Sequence, residues 1–148
     1  MRFFLALGST CSELDVSSAS LVCPKTKFSM WIKEVDQVLS KESKPKTIVL
    51  FGIESHVCVL QTCLDLLEQD FNVVVLVDGV SSMNKGEIGI ALERMKSSGA
   101  ILASSESILF QLVADASNPS FKAISNLVKS TKDSTASVFE SLVSQSKI

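Results

Sequence analysis

Two kinds of apolar run alternate along this 148-residue chain. Residues 47–52 (TIVLFG) and 72–77 (NVVVLV) are continuous and rich in β-branched side chains. Such runs predict strands buried on both faces, as in a parallel sheet. Between them, residues 57–69 set Val57, Leu60, Leu64 and Leu67 on one stripe of a helix. Upstream, Trp31, Ile32, Val35, Val38 and Leu39 give one apolar face to a helix over about 30–40, opened by Ser29. A weak strand is expected at 20–25 (SLVCPK), stopped by Pro24, and Lys44-Pro45-Lys46 breaks the chain again. Asp78-Gly79 reads as a turn that ends the second buried strand. A helix over about 84–98 closed by Gly99, a short strand at 100–103 and a helix from Ser104 or Ser105 to about 115 follow. Asn118-Pro119 starts another helix to about 129. Residues 8–20 read as loop, and the Ser-, Thr- and Lys-rich stretch from 130 as a frayed helix or disordered tail.

Strands alternating with helices predict an α/β fold with a doubly wound, Rossmann-like parallel sheet and flanking helices. The chain divides into one domain over 1–130 and a polar C-terminal tail over 131–148. Ligands of such sheets bind at the carboxyl ends of the strands.

Composition narrows the function. Apolar residues are 46%, charged residues 20% and the mean hydropathy is +0.34, which argues against intrinsic disorder. A net charge of −2 and a pI near 5.4 offer no footprint for nucleic acid or an anionic membrane, so neither is expected as a partner. No run approaches the ~20 apolar residues of a membrane span. The apolar run at Phe3–Leu7 is shorter than a secretory core of about 7–15 residues, so a cytoplasmic setting is expected. Cys11, Cys23, Cys58 and Cys63 match no zinc spacing, and reduced thiols are the default. His56 is the only histidine, which excludes a multi-histidine metal site. No metal and no cofactor are expected.

The informative segment is Ile48-Val49-Leu50-Phe51-Gly52-Ile53-Glu54-Ser55-His56-Val57-Cys58-Val59. A strand ends at Gly52, and Cys58 falls in the first turn of the next helix. Unpaired N–H groups and the dipole at a helix N-terminus stabilise a thiolate and can receive an oxyanion. Cys58 is therefore a candidate nucleophile. An inert, buried cysteine is the competing reading. Cys63, within the same helix, reads as core. Lys25 by itself reads as a solvated surface lysine. His56, two residues before Cys58, is expected to face solvent or cap the turn.

The run G-I-E-S-H-V-C-V-L-Q-T-C-L-D-L-L resembles the nucleophile segment of the isochorismatase-like cysteine hydrolases. S-S-E-S-I-L-F-Q-L and D-A-S-N-P-S-F-K downstream resemble the eukaryotic isochorismatase domain-containing proteins. The resemblance spans about residues 7–130, with several motifs in order. It implies a Cys–Asp–Lys triad. Cys58 matches the nucleophile, and Lys25, in Lys25-Thr26-Lys27-Phe28-Ser29, matches the lysine. It further implies a cis peptide at Ile53–Glu54 and an oxyanion hole from the N–H groups of Glu54 and Cys58. Family members often oligomerise, so a homo-oligomer is an implication too.

The resemblance also implies a gap. The family's aspartate ends its first strand in a hydrophobic-Asp-x-Gln pattern, and no such pattern occurs here. Leu7-Gly8-Ser9-Thr10 matches the loop after the family's second strand, and Asp15 matches no motif position. The chain is thus read as truncated at its N-terminus, lacking the family's first two strands. The 47–52 strand then becomes an edge, Lys25 loses the neighbour that would hold it near Cys58, and the general base is missing. The expected function is hydrolysis of a C–N or related bond in a small molecule through Cys58, inactive in this form. The alternatives are a non-catalytic domain that binds protein and a nonfunctional fragment.

Overall fold

The computed structural model describes residues 10–40 and 47–143. Lys44-Pro45-Lys46, the apolar start at 1–7, the Leu7–Ser9 part of the loop match and the last five tail residues lie outside them. In order the elements are α1 (Lys33–Leu39), β1 (Thr47–Ile53), a π-helical turn (Ser55–Val59) running into α2 (Leu60–Glu68), and β2 (Asn72–Ser81). Then come α3 (Gly86–Ser97), β3 (Ile101–Ala103), α4 (Ser105–Val113), α5 (Phe121–Val138) and a closing π-helical turn (Phe139–Val143).

The three strands form one parallel sheet in the order β1-β2-β3. Central β2 fits its sequence: Val73, Val74 and Val75 are all buried although successive side chains point to opposite faces. On one side Val73 and Val75 join Val59, Leu60, Cys63, Leu66, Ile88, Leu92 and Met95 in a single core, against which Ile48 and Leu50 of β1 pack. The link from α3 to β3 is a Schellman closure. Gly99, at φ +109°, donates its N–H to Lys96 O at 3.0 Å and Ala100 donates to Met95 O at 3.0 Å.

Several expectations are corrected. β1 is not buried on both faces: Val49, Phe51 and Ile53 are exposed, the last two at 69% and 68%. The cause is position, since β1 is an edge of the sheet among the described residues and one of its faces has no cover. Asp78-Gly79 does not end β2. Leu50 pairs with Val75 but Gly52 pairs with Val80, so the extra β2 residues bulge out and the strand resumes to Ser81. A Cβ on Gly79 would stand 3.1 Å from both Leu76 Cβ and Phe51 Cβ, so glycine there serves close packing within the bulge. Residues 20–25 form no strand, because Pro24 lacks an N–H and no ladder partner lies alongside among the described residues. Ser29 does not cap α1; its Oγ accepts the Trp31 N–H at 3.0 Å, and the helix begins at Lys33. The helix expected to fray near 130 continues to Val138.

Gly52 sits at φ +122°, and a Cβ added there would meet nothing within 4 Å, so any cost of substitution is conformational rather than steric crowding. Gly52→Ala is expected to lower stability by about 1 kcal/mol or more, read by urea denaturation. An unchanged midpoint would refute this account of the strand's end.

Candidate active site

The site forms where β1 runs out. The Ile53–Glu54 peptide bond is cis, and the chain turns at once into the π-helical turn that carries Cys58. The Glu54 carbonyl accepts the N–H groups of Val57 at 3.2 Å and Val59 at 3.1 Å, closing that turn. Cys58 is half-buried, whereas Cys63 is fully buried and burial pushes its thiol up to about 11.

Two distant segments grip this turn. On the β2 side, buried Ser82 Oγ accepts the Ser55 N–H at 3.0 Å and lies 2.9 Å from His56 Nδ1. Next to it, the Met83 N–H donates to Glu54 Oε2 at 2.9 Å. His56 does not simply face solvent or cap the turn; the structure ties its ring to Ser82, because the β2 bulge delivers that hydroxyl alongside. Ser55 Oγ is buried without a hydrogen-bond partner.

On the other side lies the loop from Lys25 to Trp31. Thr62 Oγ1 accepts the Met30 N–H at 2.8 Å and donates to the Cys58 carbonyl at 2.6 Å. Lys27 Nζ pairs with Asp65 Oδ2 at 2.6 Å and donates to Trp31 O at 3.1 Å. Burial alone would raise the Asp65 carboxyl. Hydrogen bonds from Lys27 and Ser29, with the Lys27 charge, outweigh it and hold the group below its ordinary value.

The expectation that nothing holds Lys25 near Cys58 is corrected. Its Nζ donates to Lys27 O at 2.9 Å and Phe28 O at 2.6 Å, and Lys25 lines the same cavity as Cys58. The ammonium folds back on its own loop, and that loop is tied to α2, so no neighbouring strand is needed. The cavity has a volume of about 270 Å³ and is bounded by Lys25, Met30, Leu50, Phe51, Ile53, Cys58, Val59 and Thr62. No carboxylate is among them. Asp15 is fully exposed, its carboxyl held low by hydrogen bonds from Ser17. Among the described residues no three His, Cys, Asp or Glu side chains gather into a group that could hold a metal ion. No helix among them is long and apolar enough to cross a membrane.

Sequence reasoning alone misses Thr62, Asp65 and Ser82. Thr62 and Asp65 had a signal, since they stand one turn apart on one helix face and Thr62 is four residues after Cys58, the spacing of a back-bond to a carbonyl. Ser82 had none, because only the bulge in β2 sets its place.

Fold and site together define the class: a parallel α/β domain with a cysteine in the turn at the carboxyl end of its edge strand and a lysine in the same cavity. Residues 8–107 match the family model described as the isochorismatase domain, and the chain belongs to that family. It is 47% identical over 123 residues to the isochorismatase domain-containing protein 1 of Danio rerio, an alignment covering 83% of this chain and 44% of that protein. The chain thus spans under half the length of this relative. Among solved structures, a hypothetical protein from Trypanosoma cruzi superposes with a TM-score of 0.79 at 36% identity, covering 86% of this chain and 66% of that one. The MAR1 ribonuclease of Caenorhabditis elegans superposes at 0.66 with 44% identity, covering 70% and 53%.

Native alkylation at pH 8 is expected to label Cys58 well before Cys63, which stays protected until the fold opens; peptide mapping by mass spectrometry reads both sites. Equal labelling would contradict the burial that separates them. A second expectation concerns acid. Asp65 is depressed in the folded state, so its pairing contributes stability above about pH 4 that is lost as the pH falls through the lowered folded value. Asp65→Asn should remove that portion of the acid sensitivity in thermal melts at pH 3–6, and an identical acid limb would show that the pair contributes nothing.

Proposed function

We propose that this chain carries the nucleophile side of a hydrolase site, directed at a C–N or related bond of a small molecule. The observation that carries the reading is the shared cavity: Cys58 and Lys25, distant in sequence, line one apolar-walled space at the carboxyl end of β1. Cys58 is the nucleophile, Lys25 supports the charge that develops, and the N–H groups of Glu54 and Cys58 receive the oxyanion. Buried Val59 and half-buried Leu50 line the inner wall, while Phe51 and Ile53 leave its outer side open.

The reading includes inactivity in this form. A cysteine hydrolase needs a base to take the thiol proton and later to activate water, a contribution typically worth about 10²–10⁴-fold. Among the described residues the cavity wall holds no carboxylate to supply it. His56 is the nearest imidazole in sequence, but its Nδ1 is engaged by Ser82 and it does not line the cavity. Free Cys11, Cys23, Cys58 and Cys63 support a reducing, cytoplasmic setting. A small-molecule substrate is preferred over RNA, despite the name of the nematode neighbour, because a net charge of −2 favours no polyanion. A second reading, a non-catalytic domain that binds another protein, is favoured by the exposed apolar residues Val49, Phe51 and Ile53 on the open strand.

The test is an assay of this chain, and of a version extended by the family's first two strands, on small amides, isochorismate and an RNA oligonucleotide. The short chain is expected to show no appreciable turnover, and the extended one to hydrolyse a small molecule in a manner abolished by Cys58→Ala. Turnover by the short chain that Cys58→Ala abolishes would overturn the inactivity. Cleavage of RNA alone would overturn the substrate class.

A further inference from the structure

The Thr62 hydroxyl stands where the two halves of the cavity meet. Thr62 is buried, lines the cavity, and occupies the first turn of α2. A threonine there commonly donates back to the carbonyl four residues earlier, as this one does to Cys58 at 2.6 Å. The second bond is the unusual one, because the same oxygen accepts the N–H of Met30, thirty-two residues away in the chain, at 2.8 Å. A hydroxyl has one proton and two lone pairs. The Met30 N–H can only donate, so the hydroxyl proton is directed to the Cys58 carbonyl, and the polarity of the pair is determined. One atom is thereby bonded to the residue that bears the thiol and to the loop that bears the lysine.

The other ties between this loop and α2 are of a different kind. Lys27 and Asp65 are half-exposed, and ion pairs in such places contribute little to geometry once water competes. Ser29 is buried but bonds within its own loop, to Trp31, and to Asp65, a turn further from Cys58. Among the described residues Lys25 itself bonds only to carbonyls of the loop, so its distance from Cys58 is set by where the loop sits.

We propose that Thr62 is the positioning residue that holds the Lys25 loop in register with Cys58. It touches neither reacting atom and acts through both. The proposal rests on the reading of Cys58 and Lys25 given above, and it predicts a coupling that a purely structural threonine would not show.

The test measures the rate at which iodoacetamide alkylates Cys58 in the full chain near neutral pH, resolved from the other cysteines by peptide mapping, for Lys25→Met, Thr62→Val, Thr62→Ser and the Lys25→Met/Thr62→Val double variant. Lys25→Met is expected to slow alkylation of Cys58. Thr62→Val should slow it by about threefold or more, the scale of one lost buried hydrogen bond. The double variant should be no slower than Lys25→Met alone, since both changes remove the same influence. Thr62→Ser, which keeps the hydroxyl, should restore the rate. Additive effects, an unslowed Thr62→Val, or failure of serine to restore would overturn the proposal. A Lys25→Met rate equal to that of the unsubstituted chain would instead sink the underlying reading, and the proposal with it. Should Thr62→Val not fold, hydrogen exchange of the Met30 amide in the unsubstituted chain decides. Slow exchange supports the bond to Thr62, and exchange at the rate of an open loop overturns it.

Discussion

A short turn that must be held from both sides governs this structure. Cys58 sits in a π-helical turn directly after β1, where the backbone has left the sheet ladder and has not yet entered regular helix. Such a segment keeps its shape only if its polar groups find partners elsewhere. They find them in two buried hydroxyls from remote parts of the chain, Ser82 beyond β2 and Thr62 in α2. Each hydroxyl makes two bonds, so each links the turn to something else. Ser82 joins the backbone of Ser55 to the His56 ring, and Thr62 joins Cys58 to the loop that carries Lys25.

The sheet register makes the first of these contacts possible. Between Leu50 and Gly52 the partner positions on β2 jump from Val75 to Val80, and the strands then run on together as far as Ile53 and Ser81. Without the bulge β2 would end near Asp78, and residues 82 and 83 would lie elsewhere. The same bulge presents Asp78 to the start of α4, where its carboxylate accepts the N–H of Ser105 at 2.8 Å and its hydroxyl at 2.5 Å. An irregularity in one strand thus serves both the Cys58 turn and the N-terminus of a distant helix.

Position within the sheet explains the character of the cavity. Among the described residues β1 has a neighbour on one side only, and its outward face carries Val49, Phe51 and Ile53 in the open. Phe51 and Ile53 are also cavity walls, so the space around Cys58 is continuous with an uncovered sheet edge. Cys58 and Lys25 are brought together by the loop, the turn and α2, none of which needs a strand beyond β1. Among the described residues the wall they form carries no acid, so the proposed chemistry rests on the Cys58 thiol and Lys25.

Much of the fold was legible in the residues. Two continuous β-branched runs separated by an amphipathic helix have few solutions other than parallel strands, and periodicity is a local property that survives in any context. The place of Cys58 after a strand, and its match to the family's nucleophile segment together with that of Lys25, followed from local order along the chain as well. What the residues could not reveal depends on partners distant in sequence. The edge position of β1 was expected from the resemblance, but the persistence of β2 past Asp78-Gly79 follows from a register set by β1, and the hold on Lys25 from a loop docked on α2 through Thr62. A run of apolar letters reports that a segment prefers burial. Whether it is buried, and which hydroxyl meets which carbonyl, is decided only when the whole chain has packed, because those energies belong to pairs of residues and not to either one alone.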